Sequence, residues 1–259
     1  MTQPVRIHDQ EGIRTLVLDR GDGRNAVGPD MTAALTAALD DAAGDDTVRV
    51  VVLTGEGRMF SAGGNLAQLR DGAGQSRPEE EREALAVAFG LTRRIVEFPR
   101  PTIAVINGPA AGGGLALALA CDLRLASTRA KLVYAYGAIG LAGDFGLNWL
   151  LGRLIGPARS RSFAFGGPAS AEQALALGLV DSVHPPEALV EAGMARAREL
   201  AAMSPPALAA IKRNLDCAHL SLAEAGAVEA DSFVALRASP EHRAALEAMM
   251  VQLGLTRPA

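Results

Sequence analysis

The chain has 259 residues, 49% of them apolar and only 4% aromatic, with a formal net charge of −4. This length suits one large domain or a domain with an appendage, and the core must be built mostly from Ala, Leu and Val. The acidic balance argues against general nucleic-acid binding, so an anionic ligand would need a local basic patch.

Residues 5–8 and 13–18 read as two short strands around the turn Asp9-Gln10-Glu11-Gly12. Gly28-Pro29-Asp30 opens a helix with proline at its first position and Met31, Leu35 and Leu39 on one stripe. Residues 48–54 form a continuous apolar strand, the pattern of a sheet covered on both faces. The glycine-dense segment Phe60-Ser61-Ala62-Gly63-Gly64-Asn65 follows it. The polar stretch 71–83 reads as a loop feeding a helix over 79–97, and is either plain solvated surface or a lid over a site. Residues 101–106 form another buried strand. A second glycine segment, Asn107-Gly108-Pro109-Ala110-Ala111-Gly112-Gly113-Gly114, leads into an apolar helix over 115–121, and a strand follows at 123–126. This strand–turn–helix pattern predicts a mixed α/β domain with function on the loops at strand ends.

Asp144 directly precedes a helix predicted over 145–154, where it could act as an N-cap. From about residue 158 onward the chain is mainly helical. Ser170 can cap a helix over 171–177, a short strand spans 179–183, and 186–203 is helical. Ser204-Pro205 and Ser239-Pro240 each open a helix with a cap and proline, and Ser221-Leu222-Ala223-Glu224 is a capping box. Apolar stripes such as Leu208, Ile211 and Leu215 suggest an appendage that packs on the core or on a neighbouring subunit. The division expected is a core over 1–200 and a helical region over 201–259.

Glycine lets backbone N–H groups approach a ligand with no Cβ in the way. A glycine cluster opening a helix adds unpaired N–H donors at the positive end of the helix dipole. Two such segments suggest two backbone donors converging on one oxygen. Other chemistries lack their motifs. Gly112-Gly113-Gly114 is not followed by Lys and Ser/Thr, and no dinucleotide glycine fingerprint occurs there. His8, His184, His219 and His242 are scattered, so no metal site is expected. Ser61 has no histidine motif to make it a hydrolytic nucleophile, and no Gly-x-Ser-x-Gly elbow is present. Cys121 and Cys217 are expected as buried thiols in preference to a disulfide. Residues 1–6 lack the apolar core of a signal peptide, and no run of 18 apolar residues occurs, so a cytoplasmic protein with no membrane association is expected.

The motifs in sequence order are Arg24-Asn25-Ala26, Phe60-Ser61-Ala62-Gly63-Gly64-Asn65-Leu66, Ala104-Val105-Ile106-Asn107-Gly108, Gly112-Gly113-Gly114 and Ala120-Cys121-Asp122, then Leu175-Ala176-Leu177-Gly178-Leu179-Val180-Asp181. This order resembles the crotonase superfamily of enoyl-CoA hydratases and isomerases, over residues 5 to 250. The resemblance implies a spiral of ββα units forming two roughly perpendicular sheets. It also implies a C-terminal helical region that assembles homotrimers or dimers of trimers. It implies an acyl-CoA substrate with no separate cofactor, CoA arriving as the thioester. The thioester oxygen would lie between the backbone N–H groups of Gly64 and Gly113. Arg24, Asn25, Ala26, Ala62, Gly63, Gly64, Asn65, Leu66, Gly113 and Tyr136 would bind substrate or CoA, with Arg24 meeting a phosphate. Asn65 stands where the family usually has Asp and would cap the following short helix equally well. Met249-Met250-Val251-Gln252 stands where a basic residue often helps to hold CoA.

The sequence departs from the family at the two glutamates with which hydratases handle water. Their positions fall here on Ala116 and Tyr136. An alanine moves no proton, and a phenol with an ordinary pKa near ~10 is a poor base at neutral pH. Asp144 lies eight residues after Tyr136, and by the same resemblance some family members that lack both glutamates carry an aspartate at this site. The expected chemistry is a 1,3-proton shift from a Δ3- to a Δ2-enoyl-CoA, with Asp144 as the base and Gly64 and Gly113 holding the enolate oxygen. Hydratase activity, an aryl-CoA dehalogenase using Asp144 as nucleophile, and a non-catalytic acyl-CoA-binding paralogue are the alternatives. Tyr136 either orients Asp144, lines the acyl pocket with Phe145 and Trp149, or simply packs.

Overall fold

A hairpin opens the chain. β1 (Val5–Gln10) pairs antiparallel with β2 (Ile13–Leu18), turned by Glu11 and Gly12 at φ 53° and 77°, the left-handed pair that suits right-twisted strands. The computed structural model describes residues 3–72 and 77–255. α1 (Pro29–Gly44) buries Met31, Leu35 and Leu39, the predicted stripe. β3 (Val50–Gly55) follows, then α2 (Leu66–Gly72), α3 (Pro78–Val96) and β4 (Thr102–Ile106). Residues 73–76 of the predicted polar loop lie outside the described residues.

The two-residue strand β5 (Ala110–Ala111) runs into α4 (Gly112–Ala120), whose nine residues are all buried. A helix apolar on every side belongs inside a core. β6 (Leu123–Ser127) and β7 (Lys131–Val133) come next, then a 3₁₀ turn over Tyr136–Ile139 and α5 (Leu147–Phe165), which is broken at Gly156-Pro157. β8 (Ala169–Ser170), α6 (Ala171–Leu177), β9 (Ser182–His184) and α7 (Pro186–Ala201) complete this part.

One sheet has the order β1-β2-β3-β4-β6-β9, and a smaller one the order β5-β7-β8. All pairings in the larger sheet beyond the first hairpin are parallel. Every residue of β4 is buried, as expected for a parallel strand covered on both faces.

The elements depart from the sequence expectation at two places with a clear cause. The strand predicted over 179–183 begins only at Ser182. Gly178 is left-handed and ends α6, so Leu179 and Val180 become its buried cap contact. The helix predicted from residue 145 begins at Leu147, because Phe145 and Gly146 are both left-handed, at φ 49° and 70°.

The chain divides into two compact units, Met1–Arg198 and Glu199–Ala259. The second contains α8 (Pro205–Asp216), α9 (Leu222–Arg237) and α10 (Pro240–Gln252). Ser221 with Glu224 makes the predicted capping box, and Ser239 Oγ accepts from the His242 amide. Ser204 stands at its N-cap position without a side-chain bond. Within this unit Ser232 Oγ donates to Asn214 Oδ1 at 3.1 Å. Leu215, Leu222, Phe233 and Val234 are exposed. Cys121 is buried and Cys217 half-buried, and both are free thiols. No described helix is long and apolar enough to cross a membrane.

Candidate active site

Backbone hydrogen bonds draw the two glycine segments together. The Phe60 and Ser61 amides donate to the Pro109 carbonyl at 3.1 and 3.2 Å, and the Ala111 amide donates to the Ser61 carbonyl at 3.0 Å. Residues 24–27 are stitched to the same ladder. The Ala62 amide donates to the Arg24 carbonyl at 2.8 Å, and the Val27 amide to the Gly63 carbonyl at 2.7 Å. Asn25 is fully buried, and its Nδ2 lies 3.0 Å from the carbonyls of both Glu56 and Met59. Its side chain is therefore turned into the turn after β3, and its Oδ1 is buried without a partner among the described residues. Ala26 is buried as well. The Asn25 side chain thus fixes backbone within the 24–26 segment expected to line the CoA arm. Asn107 does the same from the other side, accepting from the Gly55 amide at 3.2 Å and donating to the Gly57 carbonyl at 3.0 Å.

The glycines answer to different demands. Gly63 is left-handed at φ 79°, and a Cβ there would stand 2.5 Å from the Ala111 carbonyl oxygen. A Cβ on Gly114 would strike Ser61, which packs α4 onto the first segment. Gly113 is covered by the Phe145 ring, whose Cδ2 would stand 2.8 Å from a Cβ. Gly64 is exposed, and only the flexible Leu69 Cδ1 comes near, at 3.3 Å. Gly113 is the second residue of α4, where an amide has no intrahelical acceptor. Among the described residues the Gly64 amide has no backbone acceptor. Two donors are thus available on adjoining segments beside a helix N-terminus.

The remaining predicted residues lie on these segments and on the helices that follow them. Ala62 is half-buried, and Asn65 and Leu66 are exposed at the start of α2. Asn65 Oδ1 accepts from the Ala67 and Gln68 amides at 3.0 and 3.3 Å, the cap expected for it. Arg24 is exposed and makes no ion pair among the described residues, which leaves its guanidinium available to an anion. Ala116 is completely buried within α4. Trp149 is exposed on α5 beneath Arg153, whose guanidinium carbon lies 5.0 Å from the indole centroid.

Asp144 is half-buried, and the hydroxyl of buried Tyr136 donates to its Oδ1. The N-cap reading of Asp144 is corrected, since α5 is capped by Gly146 without any side-chain bond. Burial pushes the Asp144 carboxyl above the ordinary carboxylate range, and the Tyr136 bond offsets part of that rise. Burial first, and then Asp144 itself, push the Tyr136 hydroxyl far above its usual range, so it stays a protonated donor at neutral pH. The Tyr136 hydroxyl also lies 3.4 Å from where a Cβ of Gly112 would be. Gly112, Tyr136, Asp144, Phe145 and Gly113 therefore form a continuous surround. A carboxylate of raised basicity with one neutral donor behind it can accept a proton from carbon and return it. Among the described residues no group of three or more His, Cys, Asp or Glu side chains could hold a metal ion.

Several neighbours of the site have no single-residue signal in the sequence. Thr92, buried in α3, donates through Oγ1 to the Phe145 carbonyl at 2.7 Å and holds this left-handed residue. Tyr134, Ala142 and Asn148 share a hydrogen-bonded cluster. The one pointer is Gly137, Gly140, Gly143 and Gly146, a glycine at every third position before α5.

A family model described as "Enoyl-CoA hydratase/isomerase" matches residues 8–250. A relative from Escherichia coli named 1,2-epoxyphenylacetyl-CoA isomerase is 35% identical over 84% of this chain and 84% of its own. One from Thermus thermophilus, named a putative enoyl-CoA hydratase, is 37% identical over 78% of this chain and 80% of its own. The crystal structure of an enoyl-CoA hydratase from Polaromonas sp. JS666 superposes with a TM-score of 0.90 at 33% identity, covering 98% of both chains.

Proposed function

The chain belongs to the enoyl-CoA hydratase/isomerase family and has the crotonase fold, and from that premise we propose that it is an enoyl-CoA isomerase with Asp144 as its only proton carrier. The thioester oxygen of an acyl-CoA accepts from the Gly64 and Gly113 amides. Asp144 removes a proton from the α carbon of a 3-enoyl-CoA, the two amides carry the dienolate charge, and Asp144 returns the proton to the γ carbon. Bonds to a developing oxyanion matter most in such a step, at about 3–4 kcal/mol for one donor in other enzymes. Tyr136 is a positioning residue that aims the carboxylate. Arg24, Ala62, Asn65 and Leu66 meet the CoA arm, while Asn25, Ala26 and Gly63 shape the backbone that does so. No separate cofactor takes part. The active form is a homotrimer or a dimer of trimers assembled through the C-terminal helices.

The observation that carries this reading is the half-buried Asp144 held by Tyr136, beside the Phe145 that packs on Gly113. Ala116 and Tyr136 stand where a hydratase would need carboxylates, which favours isomerisation over hydration. The Escherichia coli relative is named 1,2-epoxyphenylacetyl-CoA isomerase, and this supports including aromatic-derived acyl-CoAs beside straight-chain 3-enoyl-CoAs in the substrate panel.

The test is turnover of a 3-enoyl-CoA panel by wild type and Asp144→Asn. Loss of at least about a hundredfold in kcat is expected, the lower range for removing a general base. Turnover within a few-fold of wild type would rule out Asp144 as the base. Because the carboxyl must be ionised to act, kcat should rise with pH along a limb lying above the ordinary aspartate value of ~3.9.

A further inference from the structure

Two ties cross the loop that carries Asp144, two residues apart. The inner tie is the Tyr136 hydroxyl on Asp144 Oδ1. In the outer tie the Tyr134 hydroxyl lies 2.7 Å from Asn148 Oδ1 and 2.8 Å from the Ala142 carbonyl oxygen, and its single proton serves one of them. Asn148 Nδ2 donates to the same carbonyl at 2.9 Å. Tyr134 and Tyr136 stand on one side of the loop, Ala142 and Asp144 on the other. The two rings meet edge to face, with centroids 5.3 Å apart and planes at 75°. The inner tie joins buried Tyr136 to half-buried Asp144, whereas Tyr134 is half-buried and Asn148 exposed.

The backbone between the ties has little conformational preference of its own. Gly140, Gly143 and Gly146 have φ of 73°, 121° and 70°, and Ala135 and Phe145 are left-handed at 68° and 49°. Glycine adopts such angles freely, and for the other two they cost free energy that packing must offset. The loop is also pressed against the outer tie. A Cβ on Gly143 would stand 2.8 Å from Asn148 Nδ2 and 3.3 Å from the Tyr134 hydroxyl.

We propose that Tyr134 and Asn148 are positioning residues, and that their grip on the Ala142 carbonyl holds residues 142–144 so that Asp144 stays half-buried and aimed at the acyl carbons. This rests on the isomerase reading above. Without the grip the glycine-rich segment relaxes toward solvent and Asp144 becomes both better hydrated and less well aligned. Tyr136 is the titratable partner of Asp144 among the described residues, so hydration is what the loss of the outer tie changes. Misplacement of a reacting group by about 1 Å can cost on the order of a hundredfold in rate.

The test measures kcat, KM, the pH profile of kcat and the melting temperature for full-length wild type, Tyr134→Phe, Asn148→Ala, the double variant and Asp144→Asn, with a 3-enoyl-CoA. Tyr134→Phe keeps the ring contact and removes only the hydroxyl. Both single variants should lower kcat about tenfold or more while KM stays within about twofold. The acidic limb should move to lower pH as Asp144 regains water. The double variant should lose no more than the worse single, because both act through one carbonyl. If Asp144→Asn is inactive while kcat and the limb are unchanged in both singles, the outer tie has no positioning role. A fall in kcat with an unmoved limb and a lowered melting temperature would make it structural only, and also overturns the proposal. If Asp144→Asn stays active, the isomerase reading itself fails.

Discussion

Partial burial makes the charged form of Asp144 costly, and this has a consequence for stability as well as for rate. Its folded pKa is raised above the unfolded value, so the folded state binds the proton more tightly. The resulting penalty is absent below the ordinary carboxylate pKa of ~3.9 and grows as pH rises through the folded value. Asp144→Asn removes the charge while keeping an acceptor for Tyr136. Calorimetry should therefore find the variant melting above wild type near neutral pH, with the two converging in acid. Tyr136→Phe should act in the opposite sense to loss of the outer tie. It deletes the bond that stabilises the carboxylate, so the acidic limb of kcat should move to higher pH. Asp144 could be singled out in the sequence because the two positions for hydratase carboxylates hold Ala116 and Tyr136. Its geometry could not, because the N-cap role depends on where α5 begins. That is set by left-handed Phe145 and Gly146, and a phenylalanine in that conformation carries no signal in sequence.

The element that organises the site is the rung between the two glycine segments, and it makes separable demands on neighbouring glycines. Gly63→Ala meets both a left-handed φ and the Ala111 carbonyl at 2.5 Å. It should cost at least about 2 kcal/mol in denaturant unfolding. Gly64→Ala meets only the Leu69 side chain and should stay within about 0.5 kcal/mol of wild type. Equal losses at the two positions would contradict this assignment of roles. The elements themselves were largely legible, because the apolar strands and the Met31–Leu35–Leu39 stripe have clear periods. The contacts of Asn25 were not. A polar residue in a motif beside a ligand-binding segment reads as a ligand contact, whereas here its amide satisfies the carbonyls of the turn after β3.

At the scale of the whole molecule, the C-terminal unit exposes large apolar side chains, with Leu222 at 91% and Phe233 at 65% of full exposure. In the proposed assembly this apolar surface is the face through which the chains associate. Sedimentation of the wild type should give a mass that is a multiple of three chains of 26.8 kDa. Phe233→Glu should shift the distribution toward smaller species, and a monomeric wild type would contradict the proposed assembly. The central claim concerns one carboxylate and two amides acting on one thioester. A crystal structure with an unreactive 3-enoyl-CoA analogue bound tests it most directly. The predicted result is a thioester oxygen about 2.7–3.1 Å from the Gly64 and Gly113 amides, with an Asp144 oxygen within about 3.5 Å of the α and γ carbons on one face. A thioester oxygen bound elsewhere, or an Asp144 turned away from both carbons, would contradict it.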